Sequence, residues 1–539
     1  MQICRRFPLK QKHSFKKANN HQNRTPRPTV QGLYIQEEAT GFTSFFTSFL
    51  FQRRLQRRRR STPLASRLHT TRPVINRQEE FISMLSTLVT SLLAAASVLT
   101  RVNAVTIDAS SQSSLTNGSY QTVKGIMNYY HGDEIGETPG LFPAPAYWWE
   151  SGAAWNTLIE YYAYTGDDTW NNQTMKSLLF QVGPDDDYMP LNQTTSEGND
   201  DHGFWGIAAM SAAENNFPNP ASDEPQWLAL AQAVFNRMAS RWDDENCNGG
   251  LRWQIFQFNN GYKYKNSISN GVFFNLAARL ARYTGNQTYA DWAQKTWDWT
   301  VDIGLINKTA NWAIYDGANV PNCSTDTFDT IQWTYNNGMY LGGAAFMYNY
   351  TNGNSTWKSY TQSLLDSAEL FFFVNSTVLY EPACEPSQTC DYDQTSFKGY
   401  LSQQLNYAAK VAPFTANQVH TLLASSAEAA GLSCSGGTDG ITCGNRWYEY
   451  TWDGDYGLGE QISAADVVLA SLSRFAPQYP LTANNGGTSA GDPSAGTSDD
   501  SSTSAATSTT ASTKDKALGG LLTVVLSLGV LAGGGWLAI

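Results

Sequence analysis

The chain has 539 residues and a formal charge of −11 that is unevenly spread. Residues 1–83 carry 17 Lys and Arg against 4 Asp and Glu, whereas residues 105–539 hold 18 basic and 43 acidic residues, a net −25. A body that acidic repels phosphate backbones, which excludes nucleic acid as a partner. A hydrophobic content of 41% with 13% aromatics excludes disorder over the bulk of the chain.

In chain order, the basic segment 1–83, with Arg57-Arg58-Arg59-Arg60 inside it, shows no periodic apolar pattern. It is read as a non-native extension, a gene-model artefact with initiation at Met84. From Met84 an apolar stretch runs to Leu99 and on to Val102-Asn103-Ala104. That is the pattern of a secretory signal over 84–104 with a small-residue cleavage site. Its apolar run of about 15 residues is shorter than the roughly 20 a membrane span needs. At the other end, 481–516 is a Ser/Thr/Gly-rich linker without the apolar residues to fold alone. The uncharged tail 517–539 completes a GPI-attachment pattern, with lipid added near Ser504 and the tail removed. The expected location is the secretory pathway, then the outer face of the plasma membrane, held there by the lipid anchor, and/or the cell wall.

Six cysteines lie between these ends: Cys247, Cys323, Cys384, Cys390, Cys434 and Cys443. An even number in a secreted chain predicts three disulfides. Short spacings favour Cys384–Cys390 and Cys434–Cys443, leaving Cys247–Cys323. No Cys-x-x-Cys or helical His pair is present, so no metal site is expected. Asp453-x-Asp455-x-Gly457 is not a calcium loop, because Ala464 stands where an EF-hand needs Glu. No cofactor is expected either. Nine Asn-x-Ser/Thr sequons, at Asn117, Asn172, Asn192, Asn286, Asn307, Asn322, Asn349, Asn354 and Asn375, predict a glycosylated extracellular surface.

The body is read as helical. Phe273, Leu276, Ala277 and Leu280 recur at helical spacing, as do Leu364, Leu365, Ala368, Phe371 and Phe372. Such stripes predict twelve helices beginning near residues 110, 146, 169, 200, 225, 267, 288, 336, 356, 397, 417 and 460. The phrase Tyr164-Thr165-Gly166-Asp167 returns as Tyr283-Thr284-Gly285-Asn286, and as a variant at Tyr350-Thr351-Asn352-Gly353. A glycine there caps one helix before the next starts, so the repeat is a helix hairpin, six times over. Each even-numbered helix opens on polar and aromatic residues, from Trp148-Trp149-Glu150-Ser151 to Gly459-Glu460. Six loaded helix starts imply one shared cavity. The expected fold is all-α, an (α/α)6 barrel over 105–480, acting as a monomer.

Sixteen of the 17 Trp lie in this body. Aromatic rings beside amides and carboxylates suit a sugar, whose faces stack on rings and whose hydroxyls bond polar groups. Substrate-binding candidates are therefore Trp149, Glu150, Asn199, Trp205, Asn266, Asp316, Asn336 and Asn337, with Lys398 for an anionic substituent. Asp185-Asp186-Asp187 reads as a solvated or substrate-rim loop. Asp200-Asp201 opens the second inner helix. Its plainer account is an N-cap followed by an acid favoured by the helix dipole. Inside a cavity the pair also suits glycoside hydrolysis, in which carboxyls about 5–5.5 Å apart act with retention and those about 6.5–9.5 Å apart with inversion.

Three phrases, Asp186-Asp187-Tyr188-Met189-Pro190, Gly198-Asn199-Asp200-Asp201 with Phe204-Trp205, and Trp333-Thr334-Tyr335-Asn336-Asn337-Gly338, resemble glycoside hydrolase family 76. These are endo-α-1,6-mannanases, and the likeness is to the GPI-anchored members of fungal cell walls; it covers 105–480. The resemblance implies an (α/α)6 fold and retention of configuration, with Asp200 as nucleophile and Asp201 as acid/base. It implies α-mannan or the mannose chain of a GPI glycan as substrate, in cell-wall biogenesis. A transglycosidase would add wall β-glucan as acceptor; a non-catalytic mannan-binding wall protein is the third reading. His202 stands where fungal relatives often have Gln, which bears on the acid's proton affinity.

Overall fold

Gly166 and Gly285 each close a helix in the left-handed conformation, at φ 75° and 74°, and return their N–H to a carbonyl of the last turn. Only glycine adopts that geometry without strain, and it lets the chain reverse into an antiparallel neighbour. In a computed structural model that describes residues 104–497, such reversals join twelve helices. The outer set is α1 (Gln112–Met127), α3 (Asn171–Phe180), α5 (Trp227–Ser240), α7 (Gln287–Ile303), α9 (Ser355–Phe372) and α11 (Ala416–Ser433). The inner set is α2 (Trp148–Thr165), α4 (Asn199–Glu214), α6 (Ser267–Thr284), α8 (Thr334–Tyr350), α10 (Phe397–Val411) and α12 (Leu458–Leu472). Every start lies within two residues of the position the periodicity predicts.

The inner helices are buried almost all round, while each outer helix buries one face, as α7 does with Tyr289, Ala290, Ala293 and Trp297. That division follows from packing: an outer helix meets water on one side, an inner helix on none. Each inner helix packs on the next, and α12 returns to α2, which closes an (α/α)6 ring. Its axis carries polar pairs shielded by apolar neighbours. Arg279 on α6 reaches Glu214 on α4 at 2.6 Å, Tyr407 donates to Glu160 at 2.9 Å, and Thr157 donates to Asp466 at 2.7 Å.

The segments leading into inner helices are long, and those leaving them are mostly short. The long ones gather at the inner N-termini, and all three disulfides lie in them: Cys247–Cys323, Cys384–Cys390 and Cys434–Cys443. One feature had no sequence signal. Strand Tyr264–Asn266 pairs with Gly317–Asn319, which pairs with Phe328–Asp329, in a small antiparallel sheet before α6 and α8. The sequon asparagines are exposed apart from Asn307, which is half-buried and donates to the Tyr315 hydroxyl.

Residues 481–497, read above as linker, build no core but follow the barrel through polar bonds. Leu481 and Ala483 donate backbone N–H groups to Glu214 and Tyr283, at the ends of α4 and α6. Ser489 then accepts from Leu228, Gln232 accepts from Asp492, and Asn236 donates to Pro493 and Ala495 along α5. The extension 1–83, the secretory segment up to residue 103, Ser504 and the tail 517–539 lie outside the described residues.

Candidate active site

The first turn of α4 begins at Gly198, where a side chain would crowd the two acids that follow. A Cβ there would stand 2.3 Å from Oδ1 of Asp200 and 3.2 Å from Oδ2 of Asp201, so those two oxygens lie at most the sum, 5.5 Å, apart. Oδ2 of Asp201 accepts the Gly198 N–H at 2.6 Å, which caps the helix. Oδ2 of Asp200 accepts from Nδ2 of Asn266 at 3.4 Å, while its Oδ1 is buried without a partner. The N-cap is thus Gly198, not Asp200, and Asp201 at the third helical position returns its carboxylate to the Gly198 N–H.

Burial raises both acids. Asp200 stands far above the ordinary carboxylate range through burial and then repulsion by Asp201. Burial lifts Asp201 to about 6, against the lowering effect of the Gly198 hydrogen bond. Two carboxyls this close share a proton, since ionising both sets like charges together in a dry site.

The pair faces a cavity of about 630 Å³. Its walls are aromatic: Tyr147, Trp148, Trp149, Trp253, Tyr264, Trp333, Tyr335 and Phe397. Tyr335 stacks on Phe397 with centroids 3.7 Å apart, and Trp253 and Tyr147 remain 38% and 56% exposed at the rim. The acids Glu197, Asp316 and Asp393 join the pair, and no Lys, Arg or His is among the lining residues. Asp316 accepts the Tyr264 hydroxyl at 2.7 Å, and burial lifts its carboxyl to about 6.

Of the sequence-predicted binding residues, Trp149, Asn266 and Asp316 line this cavity. The others stand behind it. Glu150 is fully buried and caps its own helix by accepting the Tyr147 N–H at 2.7 Å. Asn199 bonds the Arg252 carbonyl and Arg241. Trp205 is a buried wedge against Gly152 and Trp148. Asn336 and Asn337 are buried in the barrel, Asn337 donating to the Leu364 carbonyl. Lys398 meets no substrate anion. It is buried, paired with Glu385 at 2.8 Å and seated over the Trp447 ring, because an unpaired buried ammonium would be costly. Asp187 is no rim residue either: it is 3% exposed at its side chain and clamps Arg237 at 2.8 Å, with Asp185 on the same guanidinium. Behind the pair sits His202, fully buried, its ring nitrogens facing the Asp187 carbonyl and Arg241.

Sequence reasoning missed Glu197, Trp253, Gln254, Tyr264 and Asp393 as cavity residues. Trp253 and Tyr264 belong to a loop drawn in by pairing, where Asn199 donates its N–H to the Trp253 carbonyl at 2.8 Å and Trp253 donates to Tyr264 at 2.7 Å. Glu197 adjoins the recognised phrase, and proximity to Asp200 was its only available signal.

Comparison with known proteins gives concordant relatives. The sequence profile described as Glycosyl hydrolase family 76 matches residues 114–484. The mannan endo-1,6-alpha-mannosidase DCW1 of Saccharomyces cerevisiae is 47% identical over 436 residues, covering 81% of this chain and 95% of that protein. DCW1 of Candida albicans is 46% identical over 446 residues, covering 81% and 96%. Among solved structures, Dfg5 of Chaetomium thermophilum, crystallised in complex with glucosamine, is 42% identical with a TM-score of 0.69, covering 72% of this chain and 97% of that one. The α-1,6-mannanase GH76A of Salegentibacter, 20% identical with a TM-score of 0.53 over 67% of this chain and 99% of that one, shares the fold.

Proposed function

The chain belongs to glycosyl hydrolase family 76 and is a glycoside hydrolase, and from that premise we propose that it cleaves α-1,6-linked mannose chains with retention of configuration. The observation that carries retention is the separation of at most 5.5 Å between an oxygen of Asp200 and one of Asp201. That approach suits the about 5–5.5 Å of retaining pairs and falls short of the about 6.5–9.5 Å between the carboxyls of inverting enzymes. Asp200 attacks the anomeric carbon while Asp201 protonates the departing oxygen. Water, deprotonated by Asp201, then releases the sugar from the Asp200 ester. These roles require the pair's proton on Asp201 at the moment of attack. Positive charge developing at the anomeric centre favours an ionised Asp200 at that moment.

The substrate is α-mannan or the mannose chain of a GPI glycan, and the aromatic walls stack its sugar faces. The ester can also pass to a hydroxyl of wall β-glucan in place of water. Exposed Tyr147 and Trp253 at the rim favour that second outcome, since they offer an acceptor sugar a surface beside the pair. The purified protein incubated with α-1,6-mannan should release oligosaccharides that are first detected as α-anomers by NMR. β-Anomers would end the retaining reading, and intact mannan would leave a binding protein. With labelled mannan and a glucan acceptor, label on glucan marks transfer.

The protein is secreted, N-glycosylated and held at the outer plasma membrane or wall as a monomer by a GPI anchor. Phosphatidylinositol-specific phospholipase should release it into the aqueous phase. Retention in the membrane, with peptides from 518–539 still present, would argue for a spanning tail.

A further inference from the structure

Glu197 immediately precedes the N-cap of α4, is 2% exposed, and lines the cavity beside Asp200 and Asp201. Neither of its carboxyl oxygens has a hydrogen-bond partner. Its backbone is held on both sides: Gly198 bridges Gln254 across the cavity wall, and the Glu197 carbonyl accepts the Ile255 N–H. A buried carboxyl without partners is costly to maintain. Such a group on a fixed backbone at a cavity wall is one whose partners arrive with a ligand.

We propose that Glu197 is a substrate-binding residue that meets the glycan as a neutral carboxylic acid, its O–H donating to one sugar hydroxyl and its C=O accepting from another, on the mannosyl unit beside Asp201. This rests on the reading of the cavity as an α-mannoside site. The surrounding charges fit the neutral form. Burial acts first, then Asp201 on α4, and Asp187 from the preceding loop adds to them. Arg241, just past the end of α5, opposes, and together they hold the proton of Glu197 up to about 9. His202, the other titratable neighbour in this network, is neutral and adds no charge. A third ionised carboxylate here would compete for the proton that Asp200 and Asp201 share. Kept neutral, Glu197 supplies a donor that an ionised carboxylate could not.

The variants Glu197→Gln and Glu197→Ala separate this role from a structural one. Gln keeps one donor and one acceptor and cannot ionise; Ala has neither. With Asp200→Asn added to all three proteins to stop turnover, calorimetric titration with an α-1,6-mannooligosaccharide reads binding alone. Glu197→Ala should bind about tenfold to a hundredfold more weakly, and Glu197→Gln should recover most of that loss. Wild-type binding should weaken above about pH 9, where the donor is lost, while Glu197→Gln stays flat through that range. An infrared difference spectrum of wild type against Glu197→Gln, taken without substrate at pH 7, should carry a protonated-carboxyl band. Absence of that band, or equal binding by all three proteins, overturns the proposal. If wild type binds the oligosaccharide without cleaving it, the catalytic reading fails and the role of Glu197 stands. If wild type does not bind it, both fall.

Discussion

Nη2 of Arg241 lies 3.0 Å from Nδ1 of His202, and because a guanidinium only donates, that nitrogen of His202 accepts. The imidazole proton therefore sits on Nε2, 2.5 Å from the carbonyl of Asp187. Burial, and then the charge of Arg241, keep His202 neutral by holding its pKa well below the ordinary histidine range. Arg241 also donates to Asn199 at 2.8 Å, the residue before Asp200. The histidine is thus a strut between the Asp187 loop and the first turn of α4, not a titrating partner of Asp200 and Asp201.

Replacing this strut tests its role. Glutamine offers an acceptor to Arg241 and a donor to Asp187, so His202→Gln should stay within about 1 kcal/mol of wild type in urea unfolding. His202→Leu strands an Arg241 donor and should cost about 1–3 kcal/mol. Equal stability of the two variants would remove the hydrogen-bonding account.

The buried carboxyls set the pH dependence of stability. Burial holds the protons of Glu150 and Glu381 to about 8 and that of Glu160 to about 7, from an ordinary 4.5. Between those values the native chain binds more protons than the unfolded one. Their contribution is therefore full below pH 4.5 and is lost as pH rises through the folded values. His202 has the opposite sign, since the unfolded chain gains its proton below about 6.5 while the native chain does not. The carboxyls outnumber it, so Tm by calorimetry should fall between about pH 5 and pH 8. A Tm rising over that range would contradict the assignment.

Cys247–Cys323 closes a separation of 76 residues, whereas Cys384–Cys390 closes 6. Chain-entropy estimates give about 4–5 kcal/mol for the longer loop and about 2 kcal/mol for the shorter. Paired Cys→Ala variants should rank in that order in thermal unfolding, and non-reducing peptide mapping should recover the three links. A peptide joining Cys384 to Cys434 would refute the pairing.

The two aspartates can be told apart by leaving group. Asp200→Asn should abolish turnover and covalent labelling alike, whatever departs. Asp201→Ala should lose about 10²–10⁴-fold on mannan, yet form the glycosyl-enzyme quickly from an aryl α-1,6-mannobioside, which needs no proton. Slow release should then accumulate a mass shift on the peptide carrying Asp200. An adduct on any other peptide would reassign the nucleophile.

What the sequence by itself determined is whatever is written locally. Periodicity and the glycine turns at 166 and 285 placed twelve helix starts within two residues, because helix burial repeats along the chain. Gly198-Asn199-Asp200-Asp201 pointed to a first turn that lines the cavity for a similar reason: a tight approach and two adjacent acids leave a mark in four consecutive letters. Only the tertiary structure decided which polar residues at the inner helix starts face the cavity. Asn266, the N-cap of α6, does, whereas Asn336 and Asn337 in the first turn of α8 and Lys398 in that of α10 are buried behind the cavity lining. Successive residues on a helix point about 100° apart, so one position along the first turn separates a cavity-lining residue from a buried strut. The rotation of each helix is set by the neighbours it packs on. The same holds for Glu197 and Trp253, carried to the cavity by bonds between the segments around 197–199 and 253–255, more than fifty residues apart in sequence.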